Sequence, residues 1–360
     1  HACQHVVGHV NLRPANRLGI LDLLHVSDEE IIGHDVLDGR AGDTDYDGES
    51  GDDIMILREG IQRSNGMAGF DWVINRDATT GQTVDLGITA FANQQNFILR
   101  DRNDLVEGAS GSQFDDHIIG RNEILGGLFL GRAANPTPGA SFESYANTLL
   151  QSSVDRIAGF SNLVNHLERV TFTPAGTDKP VTAVVLDPSF VVRDANGNVI
   201  DVTDPVFGIP DVLIGGGGND VIQGGTGNDI IDGDRHLVVR IAIADPANPN
   251  ATADSMTGQV YNNVTKQTLY GGRTLDQLMM DRTLNPGQLS IVREILDTDP
   301  NNSSNDVAVF SRTIDEYSFS RDTARGIMLV VHSRGSITGD GTDRIINIET
   351  LRFSDGNGGT

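Results

Sequence analysis

The chain has 360 residues, 38% of them hydrophobic, with 42 glycines and 50 acidic against 26 basic side chains, for a formal net charge of -24. Such a polyanion repels nucleic acids and anionic membranes, so neither is expected as a partner, and it calls for hard cations that neutralise part of its charge on folding. The single cysteine, Cys3, excludes an internal disulfide, and "TAVVLDPSFVV" is broken by Asp187 and Pro188, so no run approaches the about eighteen apolar residues of a membrane helix.

The length allows two or three domains, or one extended β body. The sequence opens on His1 with neither methionine nor signal peptide, which leads us to expect a piece of a longer polypeptide. In residues 1–29, His1, Cys3, His5 and His9 lie close together, but their spacing fits no standard zinc finger and suits alternation in a terminal strand; this segment is left without a role. Residues 30–140 carry nine-residue units, "EIIGHDVLD", "GRAGDTDYD" and "GESGDDIMI", with Asp35 and Asp53 at the sixth position and Thr44 there in the middle unit, flanked by Asp43 and Asp45. Trp72 reads as a core aromatic. "RNDLVEG" resembles the end of another unit, and "GSQFDDHII" places Asp116 at its sixth position. Asp101 with Asp104, and Asp115 with Asp116, could act as acid and base but suit metal binding or solvated turns better.

Residues 141–207 set Tyr145, Leu149, Leu150, Val154, Ile157, Phe160, Leu163, Val164 and Leu167 at helical spacing behind Ser141 as N-cap, predicting one broken or two short helices, then strands around the turn "DANGN". Residues 208–240 hold the clearest repeats: "GGGGNDVIQ" and "GGTGNDIID" both read G-G-x-G-x-D-x-U-x, U being aliphatic, after the opening unit "VFGIPDVLI" with Asp211 and Leu213 in frame. In residues 241–300, "RTLDQLMMDR" and "PGQLSIVREIL" read as short helices and "IADPANPNATADS" as loop. Residues 301–360 suggest a small antiparallel unit, "DVAVFS", "EYSFS", "IMLVVHS" and "ETLRFS"; the partial repeat through Asp343 and Ile345 reads most simply as a strand-end turn. The Asp-Pro bonds at Asp187, Asp204, Asp245 and Asp299 are turn initiators.

The nonapeptide has a physical logic. Glycines allow the positive φ of a tight turn and let carbonyls crowd inward, while the aliphatic eighth residue of a three-residue strand packs into the stack. Two units per revolution bring residues eighteen apart together, pairing Asp35 with Asp53 and Asp211 with Asp229 and leaving Asp220 on the opposite edge. Two carboxylates at about 5 Å would repel by roughly 3 kcal/mol at an effective dielectric near 20, so a cation is expected between them. An all-oxygen, flexible donor set suits Ca²⁺ better than Mg²⁺ or zinc. The expected ligands, for several Ca²⁺ ions, are Asp35, Asp43, Asp45, Gly51, Asp53, Asp116, Asp211, Gly216, Gly218, Asp220, Gly225, Gly227, Asp229 and Asp234.

These units resemble the RTX (repeat-in-toxin) calcium-binding nonapeptide, whose family fold is the parallel β-roll. A longer likeness runs through "GHDVLDGRAGDTDYDGESGDDIMI", "GFDWVINRD", "LRDRNDLVEGASGSQFDDHIIG", "GGGGNDVIQGGTGNDIIDGDRHLVVRI" and "NPGQLSIVREIL". Over most of residues 30–355 it resembles the C-terminal part of large bacterial proteins that join an animal-type haem peroxidase to RTX repeats, some of them manganese-oxidising; residues 1–29 do not match that pattern. The resemblance implies secretion, by a type I system, and folding on external calcium, with catalysis lying outside this chain.

The expected fold is mainly β: parallel β-roll segments with α/β insertions and a small C-terminal antiparallel β unit. The expected role is a secreted, calcium-loaded region that stabilises or displays the remainder of a larger polypeptide. The alternatives are an enzyme whose active site lies between the repeats, at 141–207 or 236–300, and an adhesion module with a surface or matrix partner.

Overall fold

A computed structural model describes residues 33–40, 42–88, 101–122, 148–174, 177–202, 210–299, 303–333 and 339–356. The period of nine becomes a flattened coil. Val36–Asp38 pairs in parallel with Ile54–Ile56, and that strand with Trp72–Ile74, each in a register of eighteen residues (Val36 beside Ile54, Ile54 beside Trp72). The same sheet continues through Gly108–Ser110, Val212–Ile214, Ile230–Asp232 and Thr342–Ile346, all parallel, and ends in the antiparallel strands Ile327–His332 and Tyr317–Asp322. Val212 thus lies beside Gly108, and the consensus repeats stack directly on units far earlier in the chain.

The opposite wall is built from the alternate units. Thr44–Asp47, Gln62–Asn65 and Arg102–Asp104 form one parallel group, and Thr83–Asp85, His117–Ile119, Val221–Gln223, Val307–Phe310 and Thr350–Phe353 another. Asn103 joins them, its N–H donating to Ile88 O at 2.7 Å and its side chain to Asp85 O at 3.2 Å.

Between the walls, the eighth residues of the units meet as expected: Leu37, Met55, Val73, Ala109, Leu213 and Ile231 from one side, and Val84, Ile118, Ile222 and Ala308 from the other. The two walls differ on their outer faces. His117–Ile119 and Val221–Gln223 bury only their middle residue, whereas Ile54–Ile56, Trp72–Ile74 and Val212–Ile214 are buried throughout. A strand buried on both faces needs apolar residues at every position, and the insertions supply the cover. Helices Gln151–Arg156 and Phe160–Val164, with the antiparallel pair Arg235–Ile243 and Leu289–Asp297, pack there. Trp72 is the core aromatic expected, edge-on to Phe160 at 5.5 Å between centroids. A methyl group on the neighbouring Gly108 would stand 2.3 Å from the indole, so only glycine fits beneath it.

The two short helices after residue 148 are separated at Gly159, at φ 83°. Val191–Arg193 and Val199–Val202 form the hairpin around "DANGN", and Leu275–Met280 is the helix read from "RTLDQLMMDR". One helix expectation is corrected: "PGQLSIVREIL" gives a single 3-10 turn, Pro286–Gln288, and then the nine-residue strand Leu289–Asp297. Its β-branched Ile291, Val292 and Ile295 favour extended backbone, and Arg235–Ile243 offers a partner along its whole length. At the C-terminus the antiparallel unit is Tyr317–Asp322, Ile327–His332 and Thr342–Ile346, while Val307–Phe310 and Thr350–Phe353 are parallel strands of the roll. Ser141, Tyr145, Asp204 and the cluster of His1, Cys3, His5 and His9 lie outside the described residues. Among the described residues, no helix is long and apolar enough to cross a membrane.

Candidate metal centre

The sixth residue of a unit directly precedes its short strand, or opens it as Thr44 and Gln62 do, so the parallel register stacks these residues into two columns, one along each edge of the coil. In the first column a backbone N–H reaches the next carboxylate at nearly every level. Asp35 N–H donates to Asp53 Oδ1 at 2.6 Å, Asp53 N–H to Asp71 Oδ1 at 2.7 Å and Asp71 N–H to Glu107 Oε2 at 2.9 Å. Further on, Asp211 N–H donates to Asp229 Oδ1 at 2.8 Å and Asp229 N–H to Asp343 Oδ1 at 3.0 Å. In the second column Gln82 N–H donates to Asp116 Oδ1 at 2.6 Å, Asp116 N–H to Asp220 Oδ1 at 2.6 Å, Asp220 N–H to Asp306 Oδ1 at 2.7 Å and Asp306 N–H to Glu349 Oε2 at 2.8 Å.

Each link uses one carboxylate oxygen. The second is buried and without a hydrogen-bond partner in Asp53, Asp71, Asp220 and Asp229. It folds back over the first residue of its own unit: a methyl group on Gly215 would stand 2.4 Å from Asp220 Oδ2, one on Gly224 2.4 Å from Asp229 Oδ2, one on Gly66 2.5 Å from Asp71 Oδ2 and one on Gly48 2.7 Å from Asp53 Oδ2. The first glycine is therefore required by the carboxylate, beyond any need of the turn. Elsewhere the chain satisfies the second oxygen itself: Ser112 N–H donates to Asp116 Oδ2, and Ser304 Oγ donates to Asp306 Oδ2 at 3.1 Å.

A buried charged oxygen with no partner is costly, and carboxylates stacked in a column raise the cost. Burial pushes Asp53, Asp71, Asp229 and Asp343 well above the usual carboxylate range, with neighbouring acids adding to the effect. Burial carries Asp220 to about 8, with Asp116 and Asp306 contributing. A hard divalent cation held by these oxygens and by turn carbonyls would remove the penalty, so the donor set fits calcium. Among the described residues no three His, Cys, Asp or Glu side chains converge. A site here would draw on few carboxylates and on backbone oxygens.

The expected ligands fall into distinct places. Asp35, Asp53, Asp211 and Asp229 stand in the first column and Asp116 and Asp220 in the second, with the eighteen-residue pairing as expected. Asp211 faces Asp229 through its N–H only; its carboxylate is taken by Arg121, whose Nε donates to Oδ1 at 2.7 Å. Asp43 and Asp45 are not brought to the columns. Asp43 Oδ1 accepts Ile61 N–H at 3.0 Å at the surface, Asp45 pairs with Arg63, and the sixth residue of that unit is the buried Thr44. Gly51, Gly216, Gly218, Gly225 and Gly227 lie in the turns at positive φ. Asp234 is buried just past the strand, accepting Ser304 Oγ at 2.8 Å, and burial raises it to about 7.

The columns also contain acids that the repeat pattern did not single out. Asp71 lies in "GMAGFDWVI", which keeps glycine at positions one and four and was legible with the same ruler. Glu107, Asp306 and Glu349 lack the glycine frame; their signal is only an acid just before a short strand. Asp343 is no plain strand-end turn, since it receives Asp229 N–H.

A family model for the RTX calcium-binding nonapeptide repeat (4 copies) matches residues 210–235. No curated protein matches the sequence. RTX nonapeptide repeats bind calcium and are typical of secreted proteins. The matched segment, the parallel coil that continues on both sides of it and the unsatisfied carboxylates inside the coil support an RTX protein, with its calcium-binding repeats carried on a β-roll.

Proposed function

We propose that this chain is the calcium-responsive part of a secreted bacterial exoprotein: loose in a calcium-poor cytosol, folded on meeting external calcium, and then stabilising or displaying a larger polypeptide. The observation that carries this reading is the set of buried, unsatisfied oxygens of Asp53, Asp71, Asp220 and Asp229, which leaves the coil costly to close without a cation. Extracellular calcium sites bind at about 10⁻⁴ to 10⁻³ M, and a site of about 10⁻⁴ M contributes roughly 1.4 kcal/mol at millimolar calcium. Several such sites decide whether a marginal fold forms. The sequence likeness to proteins carrying an animal-type haem peroxidase supports a larger partner of that kind and export by a type I system.

Far-ultraviolet circular dichroism over a calcium titration, reversed with chelator, tests the proposal on wild type and on Asp220→Ala/Asp229→Ala. Calcium should produce β structure in wild type, and the double variant should need more of it; identical spectra with and without calcium would sink the reading. Haem absorbance and peroxidase turnover should be missing from this chain alone, and their presence would place catalysis inside it.

A further inference from the structure

The first column has one level where the N–H to carboxylate link is missing. Glu107 N–H donates to Asp71 O at 3.0 Å, and no link runs from it to Asp211, although Gly108–Ser110 and Val212–Ile214 are neighbouring strands. At that level stands Arg121. Its Nη1 donates to Glu107 Oε1 at 2.9 Å, its Nε to Asp211 Oδ1 at 2.7 Å and its own N–H to Asp211 Oδ2 at 2.6 Å, while Nη2 reaches Pro210 O at 3.4 Å. The side chains of Arg121, Glu107 and Asp211 are 4%, 2% and 0% exposed. Levels on either side leave Asp53, Asp71 and Asp229 with an orphaned oxygen; every carboxylate oxygen of Glu107 and Asp211 has a partner.

The chain path explains why this level differs. Gly120 and Arg121 follow the strand His117–Ile119 where a new turn should begin, and a methyl group on Gly120 would stand 2.8 Å from Asp211 Oδ2, as a first-position glycine does elsewhere. The turn is completed by Pro210 and Asp211 after a long excursion, so it is assembled from two separate pieces of chain. A split turn offers no continuous glycine loop of carbonyls, and the guanidinium supplies in its place a planar, permanently charged fork that bonds both acids and the returning backbone.

We infer that Arg121 is a built-in cation of the roll, giving Glu107 and Asp211 the positive charge that the neighbouring levels must take from calcium, so that the split turn closes without metal. This rests on the calcium reading above. It gives the roll a metal-independent level at its middle, from which calcium-dependent turns extend in both directions.

Hydrogen exchange followed by mass spectrometry on the full chain, in chelator and in millimolar calcium, tests it. The expected result is that peptides covering 107–121 and 210–214 keep protection in chelator, while those covering 48–56 and 215–232 gain it only with calcium. Arg121→Ala, confirmed as folded in calcium by circular dichroism, should lose that protection in chelator and need several-fold more calcium to fold, because it leaves two buried acids unpaired; Arg121→Lys should keep part of it. Uniform exchange of all peptides in chelator would overturn the role of Arg121 and leave the calcium reading standing. Uniform protection in chelator would overturn both. Unchanged protection in Arg121→Ala would overturn the role of Arg121 alone.

Discussion

Residues 33–74 and residues 211–232 wind the same coil with different amino acids, and the difference separates what the turn needs from what the repeat formula states. In the later stretch, glycine fills positions two and four, with φ of 107° and 93° at Gly216 and Gly225 and 112° and 131° at Gly218 and Gly227. In the earlier one position four stays glycine, with φ of 116° at Gly42, 116° at Gly51, 121° at Gly60 and 150° at Gly69, but position two is Arg40, Glu49 or Met67, at φ 62°, 64° and 64°, or Arg58, which is not at positive φ. A φ near 60° is the left-handed well, which other residues enter at a cost of about 1–2 kcal/mol; the values above 100° belong to glycine. Position four is therefore the fixed point of the turn and position two its adjustable one. The earlier stretch offsets its strained turns by packing, with Phe70 and Trp72 locked against Phe160.

Trp72→Ala should do the greatest damage and shows whether packing compensates for the degenerate turns. Loss of a fully buried indole from the contact between roll and insertion should cost about 3–5 kcal/mol in denaturant unfolding at saturating calcium. A loss under about 1 kcal/mol would mean that packing does not compensate for the strained turns. Asp229→Asn probes the other end. In chelator it spares the chain the burial of an unpaired acid and should increase the residual β structure, while in calcium it should lower both the calcium bound per chain and the midpoint gained on saturation. The two signs must differ between the conditions, and agreement between them would sharpen the case against a metal at Asp229.

The pH dependence carries the same contrast in a weaker form. An acid whose folded pKa is raised binds more protons folded than unfolded, so its contribution to stability is present at low pH and is lost as pH rises from the ordinary carboxylate range through the folded value. Asp234 and Asp220 are raised by burial to about 7 and 8. The chelated protein should therefore be more stable at pH 5 than at pH 8. With calcium bound, the charged forms are held and that fall should vanish, while calcium affinity itself drops toward pH 5. Residual β structure by circular dichroism against pH in chelator, beside urea midpoints against pH in calcium, checks the crossing; parallel trends would count against metal ligation by these acids.

Much of the coil was legible because a period of nine with a carboxylate at six and an aliphatic at eight is a local pattern, and parallel stacking at eighteen follows from it. Asp211, Asp220 and Asp229 could be placed on their edges from spacing alone. Glu107 and Asp306 could not, since their units replace the glycines and only the sheet register reveals them. Arg121 was beyond reach for another reason: its partners in Asp211 and Pro210 lie across an excursion whose return point no local pattern marks. The same holds for Leu289–Asp297, whose strand depends on Arg235–Ile243.

The finest test of the comparison is Glu49→Gly. Glu49 is exposed at the adjustable second position, so glycine there relieves the left-handed penalty without touching the core. Part of that gain is returned, because glycine also loosens the unfolded chain, by about 0.5–1 kcal/mol. The net expectation is a stabilisation of up to about 1 kcal/mol, read from denaturant unfolding in calcium with Glu49→Gln as the control for charge. If the glycine variant is less stable than the glutamine one, the second position is held by something other than backbone conformation, and the two stretches differ in more than the φ angles their turns allow.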